Sequence, residues 1–160
     1  MKKILYIIPG WTETTRRRPY QLLRKEAQKN GYEVIFKNID WKKPLSSQVF
    51  STPEDAVIFG FSLGAILAWL AAQQNPCRLL ILASMTPHYS FTDSKIKKAL
   101  IEITGIRFVN DVIKHLESKN KAKKQTMMYG DLEDEKADIL VKNTEHELTN
   151  NYIKAITKLL

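Results

Sequence analysis

Short apolar runs and longer helical stretches alternate along the chain. Ile4–Ile8 is a run of strand formers that stops at Pro9-Gly10. Arg18 to Asn30 is helical and ends at Gly31, a residue suited to a helix stop. Tyr32–Asn38 reads as a second strand, and Trp41 to Pro53 as a loop with room for a helical turn. Val57–Phe59 is a third strand, and Leu63–Gln74 is a helix closed by Asn75-Pro76. Leu79–Ala83 is a fourth strand, almost wholly apolar, as a strand covered on both faces should be. Helices are predicted over Asp93–Ile103 and Asn110–Ser118, a fifth strand over Thr126–Tyr129 before Gly130, and a short sixth over Ile139–Lys142. Thr149–Leu160 closes the chain as a helix with Tyr152, Ile153, Ile156, Leu159 and Leu160 on one face.

This alternation predicts an α/β protein: a three-layer α/β/α sandwich on a mainly parallel sheet of about six strands. No repeat, low-complexity tract or linker interrupts it, so residues 1–160 read as one domain. Ligands of such sheets bind at the carboxyl ends of the strands. Gly10, Ser62, Met85, Gly130 and the residues after Lys142 belong at that edge.

One pentapeptide there stands out. Gly60-Phe61-Ser62-Leu63-Gly64 lies between a strand pattern and a strong helix former, Ala65–Ala72. A serine at a sharp strand-to-helix turn is lifted above the sheet with its hydroxyl exposed, and the two glycines make room for the turn. The helix that follows aims unpaired N–H groups at the place where a negative oxygen would form.

A serine hydroxyl needs a base, and the base an orienting acid. Of three histidines, His146 falls in the turn before the last helix, beside the elbow, and is preferred. His88, after the fourth strand, is the rival base or a pocket residue, and His115 belongs to a lysine-rich surface helix. Acid candidates crowd the stretch after the fifth strand: Asp131, Glu133 and Asp134. The oxyanion needs two backbone N–H donors. Leu63, directly after the serine, supplies one, and Trp11, in the loop that Gly10 lets turn, the other. Met85, His88 and Tyr89, with Gly10, are the expected substrate-pocket residues.

Composition narrows the class without changing this picture. The 160 residues are 44% hydrophobic and 26% charged, ordinary for a globular protein. Cys77 is the single cysteine, so no intramolecular disulfide forms, which suits a reducing compartment. The start of the chain reads as a buried strand rather than a secretion signal, no apolar run is long enough to span a membrane, and a cytoplasmic location is expected. The 25 basic and 17 acidic residues leave a net charge of +8. Without aromatic interleaving or a nucleic-acid motif, that excess reads as lysine-rich surface rather than a nucleic-acid site. Arg16-Arg17-Arg18, where a helix begins, is either a solvated start or an attractor for a carboxylate- or phosphate-bearing substrate.

Taken together, the first strand with its Pro9-Gly10 loop, Gly60-Phe61-Ser62-Leu63-Gly64, Gly130 after the fifth strand and His146 before the last helix resemble the α/β-hydrolase superfamily, over nearly the whole chain. Within it the chain is similar to small serine hydrolases without a large lid domain. The resemblance implies Ser62 as nucleophile and His146 as general base. The family's acid position, three residues after the strand-ending glycine, is Glu133 here, with Asp134 as the alternative. Three features depart from the family pattern: Pro9-Gly10 in place of His-Gly, Glu145 rather than glycine before the histidine, and a connection to the last strand that lacks the usual helix.

The expected activity is hydrolysis of a small ester or thioester through an acyl-enzyme on Ser62, of carboxylesterase or thioesterase type, without metal or organic cofactor. The alternatives are a catalytically silent binding module of the same fold and an acyltransferase using the same residues. Oligomeric state is left open.

Overall fold

The computed structural model describes residues 2–85 and 93–160. Among these, six strands form one sheet: β1 (Lys3–Ile8), β2 (Tyr32–Phe36), β3 (Val57–Phe61), β4 (Leu79–Ala83), β5 (Gln125–Gly130) and β6 (Ile139–Val141). Their order is β2-β1-β3-β4-β5-β6, and every neighbouring pair is parallel. The helices are α1 (Arg18–Lys29), α2 (Gly64–Gln74), α3 (Ser94–Thr104), α4 (Ile106–His115) and α5 (Asn150–Thr157), with a 3-10 turn at Ser46–Gln48.

Side chains alternate across the strands, so each strand feeds two apolar layers. Leu5 and Ile7 join Val57, Phe59 and Phe61 on one face, against Tyr20 and Leu23 of α1 and Tyr152, Ile153 and Ile156 of α5. Tyr6 and Ile8 join Ile58, Leu80 and Leu82 on the other, against Ile66 and Leu70 of α2 and Val109 and Val112 of α4. Most of α2 is buried, which is why its sequence carries no polar face.

The elements match the sequence expectations apart from their ends. β3 runs on to Phe61, so Gly60 is a strand residue. The second of the two middle helices starts at Ile106 and stops at His115, rather than spanning 110–118. Gly105, at φ 85°, turns the chain directly from α3 into α4, and burial of Phe108 and Val109 draws the first turn of α4 into helix. No helix lies between β5 and β6; residues 131–138 cross over as turn and irregular chain.

The chain leaves β1 for β2 on one side and returns to β3 on the other. Loops after β1 and β3 therefore diverge, opening a crevice at the carboxyl edge, the place where open α/β sheets bind ligands. Among the described residues no helix is long and apolar enough to cross a membrane.

Candidate active site

Ser62 follows β3 directly and adopts φ 54°, a left-handed conformation rare for residues other than glycine. Its N–H donates to the Ala83 carbonyl at 2.9 Å, which fixes the turn to the end of β4. Both flanking glycines are required by contact with backbone. A Cβ on Gly60 would lie 2.6 Å from Ala65 Cα, and one on Gly64 would lie 2.1 Å from the Pro9 carbonyl oxygen. Neither neighbour is a side chain that can swing away. Gly64→Ala is therefore expected to destabilise the fold by about 2 kcal/mol, read as a lower thermal midpoint, because the elbow and the loop after β1 must separate.

Two other loops reach the serine. The His146 Nε2 lies 2.8 Å from Ser62 Oγ. Its Nδ1 lies 2.8 Å from Glu133 Oε1. The Phe61 ring flanks the imidazole, with centroids 5.5 Å apart. Glu133 comes from the turn after β5, where its Oε2 accepts the Gly130 N–H at 2.7 Å. Its side chain is 9% exposed against 49% for His146, so the carboxylate is anchored inside while one edge of the ring meets solvent. A serine facing an imidazole whose far nitrogen is held by a carboxylate has the geometry for losing its proton during attack.

The three acid candidates separate cleanly. Asp131 accepts the Thr144 N–H at 3.2 Å, so it ties the two loops together by their backbone. Asp134 is exposed at φ 54° and contacts neither His146 nor Ser62. Glu133 alone of the three reaches the imidazole. Gly130 allows this approach: a Cβ there would lie 2.0 Å from the Thr144 carbonyl oxygen.

The loop after β1 closes the other side. Glu13 N–H donates to the Gly10 carbonyl at 3.1 Å, forming a turn with Trp11 and Thr12 at its tip. The Gly10 N–H points inward to the Tyr20 hydroxyl at 3.1 Å, and that phenol donates to Glu13, which also pairs with Arg17. Burial pushes the Tyr20 phenol up to about 12, against the opposing pull of the Gly10 N–H and Arg17, so it remains a donor at neutral pH. Among the described residues the N–H groups of Trp11 and Leu63 have no acceptor. Sequence reasoning missed Tyr20 and Glu13. The bond between Tyr20 and Gly10 exists only once α1 packs beneath the loop, so no local pattern announces it.

A cavity of about 490 Å³ opens over Ser62 and His146. Gly10 and Trp11 line it with Phe61, and Leu100 and Ile103 of α3 add an apolar wall. Of the three consecutive arginines only Arg17 borders this cavity. Met85 differs from its expected place in the pocket wall. It is fully buried in the layer between the sheet and α2, and its carbonyl accepts the Tyr129 hydroxyl at 2.5 Å. The apolar side chain gains more from that core than from a solvated cavity. His88 and Tyr89 lie outside the described residues. His115 is held on α4 by Asp111, remote from the serine. Both ring nitrogens of His146 are already engaged, and among the described residues no cluster of three or more His, Cys, Asp and Glu side chains could hold a metal ion.

No protein-family model and no curated protein sequence matches the chain. Solved structures do. Alpha/beta hydrolase domain-containing protein 10 from mouse superposes with a TM-score of 0.70 at 13% identity, over 98% of this chain and 87% of that one. The chain has the α/β-hydrolase fold. Est1E from Butyrivibrio proteoclasticus shares it with a TM-score of 0.68 at 13% identity, over 98% and 84% of the two chains. An α/β-hydrolase enzyme from the metagenome of lagoon sediments at Mar Chica, Morocco, gives 0.65 at 12% identity, over 99% and 89%. Within the α/β-hydrolase fold, the elbow after β3, the turn after β5 and the loop before α5 converge here on Ser62.

Proposed function

We propose that this protein is a serine hydrolase of small esters or thioesters. The observation that carries the reading is the continuous chain from Ser62 Oγ through His146 to Glu133, with both links at 2.8 Å. In this reading Ser62 Oγ attacks the substrate carbonyl carbon while its proton passes to His146 Nε2. The oxyanion is held by the N–H groups of Leu63 and Trp11, each such donor being worth roughly 3 kcal/mol to the transition state. Collapse of the tetrahedral species expels the alkoxide or thiolate, which takes the proton from Nε2, and leaves an acyl-enzyme. Water then attacks the acyl carbon, gives its proton to Nε2, and the acid departs as that proton returns to Ser62. Glu133 holds the imidazole in the tautomer with the proton on Nδ1 and balances the imidazolium as it forms. The apolar wall of Trp11, Phe61, Leu100 and Ile103 suits a modest acyl group.

The test is intact-protein mass spectrometry after fluorophosphonate treatment, with Ser62→Ala as control. A single adduct mapped to Ser62, absent from the variant, is the expected result. No adduct on the folded protein would overturn the reading in favour of a catalytically silent module of this fold.

A further inference from the structure

Ser84 is fully buried, yet it is a serine at φ 40°, a strained conformation for a residue with a Cβ. It directly follows β4, whose last residue, Ala83, accepts the Ser62 N–H. Its own N–H donates to the Met128 carbonyl at 2.8 Å, which fixes its position between β4 and β5. Its Oγ lies 2.6 Å from Glu133 Oε2 and 2.7 Å from the Tyr152 hydroxyl. Tyr152, also fully buried, comes from α5, and its hydroxyl lies 3.2 Å from the Met128 carbonyl and 3.5 Å from Glu133 Oε2.

The proton count gives this cluster a direction. An ionised carboxylate only accepts, so Ser84 must donate to Glu133. Its oxygen is then free to accept from Tyr152. Burial, above all, raises the Tyr152 phenol well past its ordinary range, so it keeps the proton this order needs. The result is a relay from Tyr152 to Ser84 to Glu133 Oε2, while Oε1 faces His146. Glutamate carries one more rotatable bond than aspartate. Gly130 N–H and Ser84 Oγ together grip Oε2 and remove that freedom.

We propose that Ser84 and Tyr152 are positioning residues that lock the Glu133 carboxylate against His146. This rests on the reading of Ser62, His146 and Glu133 as the reacting set. Ser84 and Tyr152 act only through Glu133 and touch no substrate.

The measurement is the rate of fluorophosphonate labelling of Ser62 in a double-mutant cycle. Ser84→Ala is expected to lower the maximal labelling rate about tenfold, the scale of one charge-assisted hydrogen bond, and to leave the half-saturating probe concentration within about twofold. In the Glu133→Gln background the same substitution should change the residual rate less than about twofold, because the amide that Ser84 then holds neither selects the Nδ1 tautomer nor balances the imidazolium, so holding it gains nothing. A side chain that merely supported the fold would lower both backgrounds alike, and that result would overturn the proposal. So would wild-type labelling by Ser84→Ala alongside an impaired Glu133→Gln, which leaves the reacting set intact. Wild-type labelling by Glu133→Gln would instead overturn the assignment of the acid, and the positioning role with it. If Ser84→Ala does not fold, Tyr152→Phe carries the same cycle; it removes one hydroxyl and keeps the ring in the core.

Discussion

Ser62→Ala is expected to lower turnover of any ester substrate by roughly five to six orders of magnitude with the thermal midpoint nearly unchanged. In the proposed mechanism the serine hydroxyl bonds to the acyl carbon, and no other hydroxyl among the described residues lies at hydrogen-bond distance from His146 Nε2. The substitution removes one oxygen from a side chain at the floor of a cavity. The strain of the left-handed backbone at this position is common to both residues, so it cancels in the comparison. The backbone N–H donors at Leu63 and Trp11 survive, and any residual rate would come from them and from binding. Hydrolysis of p-nitrophenyl acetate, followed beside thermal denaturation of the same samples, checks both halves. Retained turnover in the folded variant would remove Ser62 from the chemistry.

The second large effect distinguishes the carboxylates. Glu133→Gln is expected to lower turnover by about four orders of magnitude, whereas Asp134→Asn should stay within about twofold of the parent. An amide at position 133 can donate as well as accept. It no longer selects the imidazole tautomer with the proton on Nδ1, and it cannot balance the imidazolium. Asp134 points into solvent, where a lost charge is screened and touches nothing in the site. His146→Ala should match Ser62→Ala, because residues that act as a unit fail together. Steady-state kinetics on these variants at one pH decides the order. An inactive Asp134→Asn beside an active Glu133→Gln would exchange the roles.

What could be read before folding is local in character. Strand and helix periods, the stops at Gly31 and Asn75-Pro76, and the sharp turn around Ser62 depend on residues within a few positions of one another. The sandwich, the parallel sheet and the elbow were legible for that reason. His146 was legible by elimination among three histidines and by its place before the last helix. The helix over Ile106–His115 begins four residues before the expected start because burial of Phe108 and Val109 draws its first turn into helix, a fact of packing rather than of period.

The remainder was set by contacts between distant segments. Three carboxylates within four residues of one turn are equivalent by charge and pattern, and only the family resemblance favours Glu133 among them. Glu133 differs from Asp134 only because β5 and β6 lie side by side and Gly130 lets the backbone at Thr144 close in. Met85, which its place after a strand assigns to the pocket wall, turns instead into the core. Ser84 and Tyr152 are sixty-eight positions apart and meet at 2.7 Å beneath Glu133. The fold class and the serine at its elbow follow from local sequence, because backbone propensity and apolar period are short-range. Tertiary structure decided which acid faces the histidine and which hydroxyls hold it, because hydrogen bonds act over about 3 Å in space whatever the separation along the chain.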